Sequence, residues 1–259
     1  MKIPRIEIGR VGKCIYCGKT DVPLQTEHIV PYGLNGPWEL LDSSCQKCAA
    51  ITSSFERDVL RNSLIVPRVA LNFPTRRKHK RPKLFPLCVT SNGKEEITKV
   101  PIHEHFGIMM FIISETPAYL DGRPYEKGVS IKGSIQVQVS GPPIAELAKK
   151  YKGKSISINV TWQGNSFERL LAKIAYGFSV AFFGINRLEK AYVIPAILGE
   201  KDDIGRWVGC APDMQLSVGK FLHEINLAVI NNELIVRVKL FALYDVPEYL
   251  VVVGRLKED

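Results

Sequence analysis

No apolar run in the 259-residue chain approaches the roughly 18–20 residues that a membrane-spanning helix needs, and the longest lies near Phe106–Ile113. The N-terminal stretch MKIPRIEIGR has no apolar core of a secretory leader, so a cytoplasmic protein with no membrane partner is expected. There is no internal repeat, and no low-complexity tract beyond one basic run. Disorder is excluded by composition, because 46% of residues are hydrophobic and only 24% are charged. Such a chain can bury a sizeable core. Cysteine is sparse, six in all, and a disulfide framework is not expected in a chain this large without a leader.

What is present is unevenly placed. Residues 1–90 hold 15 Lys/Arg against 7 Asp/Glu, and the rest of the chain holds 20 against 19. Nearly all of the +9 net charge therefore lies in the first third. A basic module joined to a near-neutral remainder suits a polyanion-facing surface, and equally a surface biased for solubility.

Four of the six cysteines share that basic third, as Cys14-Ile15-Tyr16-Cys17 and Cys45-Gln46-Lys47-Cys48. Each Cys-x-x-Cys pair can place two thiolates on one turn, and two pairs complete a tetrahedral, structural zinc site. The 27-residue spacer exceeds the usual range of about 15–20 for a zinc ribbon, so something is inserted between the knuckles. Cys88 and Cys210 have no partner motif and are expected as buried thiols.

The insert carries Glu27-His28-Ile29-Val30-Pro31. Residues 24–30 read as a strand, with Glu27 and His28 on opposite faces, and Pro31 ends it. Gly33, Asn35, Gly36 and Pro37 form a loop. After the second knuckle, Ile51, Phe55 and Val59 share one face of a helix expected over 49–62.

This ordered set (CIYCG, EHIVP, a Gly-containing loop, SCQKC, a helix) resembles the HNH endonuclease family over about residues 12–62. It is most similar to bacterial and phage members with a Glu-His-Ile-Ile/Val-Pro signature and a long C-terminal extension. The resemblance implies a ββα-metal core clamped by structural zinc on Cys14, Cys17, Cys45 and Cys48. It implies hydrolysis of phosphodiester bonds in DNA, with His28 as general base and Glu27 helping to hold Mg2+ or another divalent cation. The chain departs from the pattern in two places. Ala49 and Ala50 stand where the family commonly has a metal-ligating Asn or His, and residues 39–44 lack the family's middle Asn. Glu56, about two helical turns beyond Cys48, is the candidate replacement ligand; a solvated carboxylate beside Arg57 or Arg61 is the alternative. A catalytically degenerate zinc module that binds nucleic acid or a protein partner therefore stands beside the nuclease reading.

Beyond an expected helix ending before Pro74 comes the basic run. Arg76, Arg77, Lys78, Lys80, Arg81 and Lys83 could bind phosphates without reading sequence, or serve as a solvated linker. Strands are then expected over 84–89, 96–100, 108–113, 130–139, 155–162, 221–229, 234–242 and 249–254, with helices over 144–152 and 167–183. Asn231-Asn232 reads as a hairpin turn, and His103-Glu104-His105 as an exposed loop. The whole is expected as α+β: a ββα-metal zinc-knuckle module over 1–73, a basic linker over 74–83, and a mixed, largely antiparallel α+β domain over 84–259.

Overall fold

Strand β1 (Ile6–Arg10) runs parallel to β3 (Trp38–Cys45), whose other edge pairs antiparallel with β2 (Leu24–His28). Helix α1 (Gln46–Asp58) leaves β3 without an intervening residue, and a π-helical turn over Val59–Ser63 leads to α2 (Ile65–Ala70). The strand–strand–helix order around the two knuckles is therefore present. The computed structural model describes residues 4–76, 78–124, 127–151, 155–212 and 216–258.

The sequence pattern does not mark β1 or β3 as strands. β3 reads WELLDSSC, which mixes acids and serines with its apolar residues, and Asp42 within it takes a left-handed φ of 46°. Burial of Glu39, Ser43 and Ser44 hides the two-residue period that marks a strand. The helix starts at Gln46 rather than at residue 49, and its expected face is present, with Phe55 and Val59 fully buried.

The rest of the chain is mixed α+β. β4 (Leu84–Ser91) pairs with β5 (Lys94–Pro101) and with the short β8 (Ser155–Ser157), and β6 (Gly107–Ser114) pairs with β7 (Ile131–Ser140). After α3 (Ile144–Lys150) comes the long α4 (Ser166–Phe183). The largest sheet runs β10 (Val208–Cys210), β13 (Tyr249–Leu256), β12 (Glu233–Leu240), β11 (His223–Ile230), with β9 (Leu188–Ala191) also on β13. Two short helices, α5 (Ile194–Leu198) and α6 (Ile204–Trp207), bridge β9 to β10. Among the described residues every strand pair except β1–β3 is antiparallel. Asn231 and Asn232 turn the β11–β12 hairpin with φ of 51° and 63°, left-handed values that asparagine tolerates and that match strand twist. Only 155–157 of the strand expected over 155–162 is paired. His103 is exposed as expected, but His105 is buried and stacks on Phe106, so the triplet is half loop and half core.

α4 organises the core. Leu170 and Ile174 on its apolar stripe are fully buried, and Phe178 packs on Trp38 of β3 at 5.8 Å. A single buried cluster runs from Cys14 and Phe55 through α4 to Val251 and Leu256. A smaller one lies between Leu87, Val100 and Leu147. The basic segment 74–83 thus divides the chain by charge, while the main core spans both sides of it. Gly36 is required by close approach, since a Cβ there would lie 2.2 Å from the Val30 carbonyl oxygen.

His223 ties the large sheet to the loop after β2. Its Nε2 donates to the Leu34 carbonyl at 2.7 Å, and its Nδ1 accepts the Phe241 N–H at 3.2 Å. Acceptance at Nδ1 needs the neutral ring, and burial pushes its pKa down to about 4. The unfolded chain, with an ordinary histidine near 6.5, takes up this proton first. Stability is therefore complete above about pH 6.5 and falls as the pH drops towards 4, by roughly 3 kcal/mol for this residue. Urea midpoints at pH 7 and pH 4.5 check this. His223→Gln keeps a donor and an acceptor but does not titrate, and should show a smaller drop. Equal drops in both proteins would remove His223 as the source.

Candidate functional site

The first knuckle is a tight turn. The Cys14 N–H donates to Lys19 and the Gly18 N–H returns to the Cys14 carbonyl, with Gly18 at a φ of 75°. Its Ile15 N–H donates to Ser43 of β3, which brings the turn beside the second pair. Cys45 ends β3 and Cys48 lies in the first turn of α1. The Sγ atoms of Cys14, Cys17, Cys45 and Cys48 all lie within 4.8 Å of one another. The Cys17–Cys45 separation is 3.7 Å, against about 3.8 Å for the edge of a tetrahedron with Zn–S bonds of about 2.3 Å. The cluster is compatible with structural zinc. Burial opposes ionisation of Cys45, but the Cys48 N–H and the neighbouring thiols outweigh it and bring the thiol down to about 7. Burial pushes Cys48 and Cys14 up. Four thiols this close cannot all ionise without a cation among them.

Beside the cluster, β2, α1 and the segment after α2 enclose a cleft of about 470 Å3. Glu27, His28 and Glu56 all line it. His28 Nδ1 lies 3.4 Å from Glu39 Oε1 in the register position opposite on β3, an ion-pair distance too poorly aligned for a hydrogen bond. Its Nε2 lies 3.4 Å from the Arg76 guanidinium. Burial first, then the positive charges of Lys173, Arg76 and Arg5, push its pKa down to about 4. The ring is neutral at pH 7, and with Nδ1–H towards Glu39 the Nε2 lone pair points to the cleft side, where it accepts from the Arg76 guanidinium.

Glu27 and Glu56 converge as the sequence suggested, but on an ammonium. Lys173, from the middle of α4, places Nζ 2.7 Å from Glu27 Oε1 and 2.9 Å from Glu56 Oε1. It also donates to the His28 carbonyl, with the Ile29 carbonyl at 3.4 Å. Burial alone would push this lysine down, but the two carboxylates outweigh it and hold its pKa above the ordinary value. Burial also raises Glu56, partly offset by Lys173. With Ala49 and Ala50 offering no ligand atom, and a buried cation already between the carboxylates, the residues as arranged do not fit a resident divalent ion.

The cleft walls are basic. Arg57, Arg61, Arg68 and Arg76 line it, and Arg61 and Arg68 also line an adjoining pocket that contains Lys80 and Arg81. Of the basic run, Arg76 reaches His28, while Lys78, Lys80 and Lys83 are exposed. Arg77 lies outside the described residues. Arg81 is a correction to the expectation of a phosphate-facing run. Its guanidinium donates to Asn72 Oδ1 and to the Arg68 and Phe73 carbonyls, so it closes the end of α2. Arg68 also has a structural share, donating to the Gly33 and Leu60 carbonyls at 2.7 and 2.6 Å. Burial, then Arg81 and Arg61, push it down to about 10, which leaves it charged at neutral pH.

Sequence reasoning missed the helix arginines that line the cleft, and Lys173 and Glu39, which are buried behind it against Glu27, Glu56 and His28. A signal existed for Lys173, which sits among Leu170, Ile174 and Gly177 at helical spacing, a charge on an apolar stripe. Arg57 and Arg61 share a helix face at i, i+4. Nothing local marks Glu39. No protein-family model, no curated protein and no solved structure matches the chain.

Proposed function

We propose that this chain is an HNH-type phosphodiesterase that binds the sugar–phosphate backbone of DNA in the His28 cleft, with zinc on the four cysteines as its structural clamp. One observation carries the reading: a neutral, oriented imidazole opens into a cleft walled by Arg57, Arg61, Arg68 and Arg76, beside a strand–strand–helix core held by a four-cysteine cluster. Phosphate oxygens would be held by the arginines, whose charge counts for more in a partly enclosed site than in water. With Arg76 drawn from His28 onto a bound phosphate, Nε2 would be free to take the proton of an attacking water. A new P–O bond forms as the bond to the leaving sugar oxygen breaks, and that oxygen takes a proton from solvent. Glu39 would stabilise the imidazolium through Nδ1.

A second reading is favoured by a specific observation. Lys173 consumes both carboxylates, and Ala49 and Ala50 add no ligand, which suits a module that binds nucleic acid without cutting it. Plasmid nicking separates the two. His28→Ala should lower the nicking rate by about 100-fold or more, as loss of a general base does, while leaving DNA affinity within about threefold. No nicking by the unaltered protein, with tight DNA binding retained, selects the second reading.

Both readings require phosphate contacts. The affinity for a DNA duplex should fall steeply with salt. The triple variant Arg57→Gln/Arg61→Gln/Arg76→Gln should reduce the log–log slope by about one for each phosphate it no longer neutralises. An unchanged slope would remove the cleft as the phosphate site.

A further inference from the structure

We infer that Lys173 is the built-in cation of this cleft, its ammonium filling an oxygen-lined position between Glu27 and Glu56 that would otherwise take a divalent metal ion. The surrounding atoms are all oxygens: one from each carboxylate and the backbone carbonyls of His28 and Ile29. That is the donor type of a hard cation such as Mg2+ or Mn2+. A lysine ammonium has three donors, and Glu27, Glu56 and the His28 carbonyl use all of them. None is left for a phosphate, so Lys173 is a positioning residue. It holds both carboxylates and the backbone at His28, and the arginines are left as the cleft's cations for substrate.

The helix that delivers the ammonium is locked. Lys173 is buried, its flanking residues Ala172 and Ile174 are fully buried, and Tyr176, one turn on, donates to the Ile15 carbonyl in the first knuckle. Withdrawing the ammonium to admit a metal would unpack α4 from the main core. A surface lysine could swing aside into solvent; this one is fully buried. The charge balance agrees. With Lys173 in place the group Glu27, Glu56, Lys173 carries one net negative charge, whereas without it two carboxylates would face each other in a largely dry site, where like charges strongly oppose joint ionisation. A divalent ion at the emptied position would neutralise both carboxylates.

This rests on the reading of the cleft as the reaction centre, but its test does not, because metal binding is read without DNA. The zinc-loaded chain, Lys173→Ala, and Lys173→Ala/Glu56→Gln are titrated with Mn2+ and followed by calorimetry and by electron paramagnetic resonance. The unaltered chain should take up no stoichiometric Mn2+ in the submillimolar range. Lys173→Ala should bind one Mn2+ per chain at least tenfold more tightly, and the added Glu56→Gln should abolish most of that gain. Should Lys173→Ala fail to fold alone, refolding on addition of Mn2+ is the same supporting result. Stoichiometric Mn2+ uptake by the unaltered chain that is lost in Glu56→Gln overturns the inference. So does a Lys173→Ala protein that is folded and gains no Mn2+, or one that Mn2+ does not refold. Absence of nicking activity bears on the reaction reading and leaves this result where it stands.

Discussion

Cys45→Ser is expected to abolish zinc binding at the four-cysteine cluster and to unfold the protein as a unit, not just to loosen its N-terminal third. Structural zinc sites of this type contribute on the order of 10 kcal/mol of apparent binding free energy at neutral pH, comparable to the whole stability of an ordinary domain, about 5–15 kcal/mol. The knuckles do not stand apart from the rest of the molecule. Tyr16 packs against Tyr176 at 5.9 Å, Tyr176 donates to the Ile15 carbonyl, and Cys14, Ile15 and Cys45 belong to the cluster that reaches Val251. Opening the four-cysteine cluster would therefore remove the support of α4, and α4 packs against the large sheet. Chelation should release one zinc per chain, read by a colorimetric indicator, with helical circular dichroism lost in the same transition. A Cys45→Ser protein that retains zinc and melts at an unchanged temperature would sink the claim. A chelated protein with an intact C-terminal transition would show that the core is less cooperative than its continuity suggests.

The second large effect is expected at Lys173, read as stability. Lys173→Met keeps the apolar stem and deletes the charge. Glu27 and Glu56, 6% exposed and half-buried respectively, then lose their counter-ion. Breaking a buried pair in this way costs about 3–5 kcal/mol, most of it the penalty of the stranded charges. For a chain of this size that lowers the melting temperature by roughly 10 °C. The pH dependence has a definite sign. In the native protein burial already raises Glu56, and Lys173 restrains that rise. Without Lys173 the folded pKa climbs further above the unfolded one, so the native state binds the proton more readily. The deficit should be largest above the raised value and shrink as the pH falls through it towards the ordinary carboxylate range. Adding Glu27→Gln and Glu56→Gln should recover part of the loss at pH 7. A Lys173→Met protein as stable as the parent at pH 7, or a deficit that grows on acidification, would remove the buried triad as a stabilising unit.

Much of the architecture was legible locally. The two Cys-x-x-Cys pairs announced their cluster because two ligands per turn is a spacing that few other uses require. The α4 stripe of Leu170, Ile174 and Phe178 announced a buried helix, and Asn231-Asn232 a hairpin, because side-chain periodicity and left-handed backbone are properties of neighbouring residues. β3 was not legible, since a strand that buries Glu39 and two serines does not show the apolar alternation of a half-exposed sheet. The basic run was legible as charge but not as function. Arg76 turns to His28, while Arg81 turns inward to close α2, and nothing in the local sequence distinguishes them.

Among the described residues no helix is long and apolar enough to cross a membrane, in keeping with the short apolar runs of the chain. What the sequence by itself determined, then, was the class of structure, the four-cysteine cluster and the placing of Glu27 and His28 side by side on one strand, all of which depend on short stretches of the chain. What only the tertiary structure decided was the fate of the carboxylates. Glu27 and Glu56 meet because β2 and α1 pack together. They meet an ammonium because α4 brings Lys173 from 117 residues beyond Glu56. An ion pair over that distance leaves no spacing or period in the chain; it exists only once the core has placed the ammonium 2.7 Å from one carboxylate and 2.9 Å from the other.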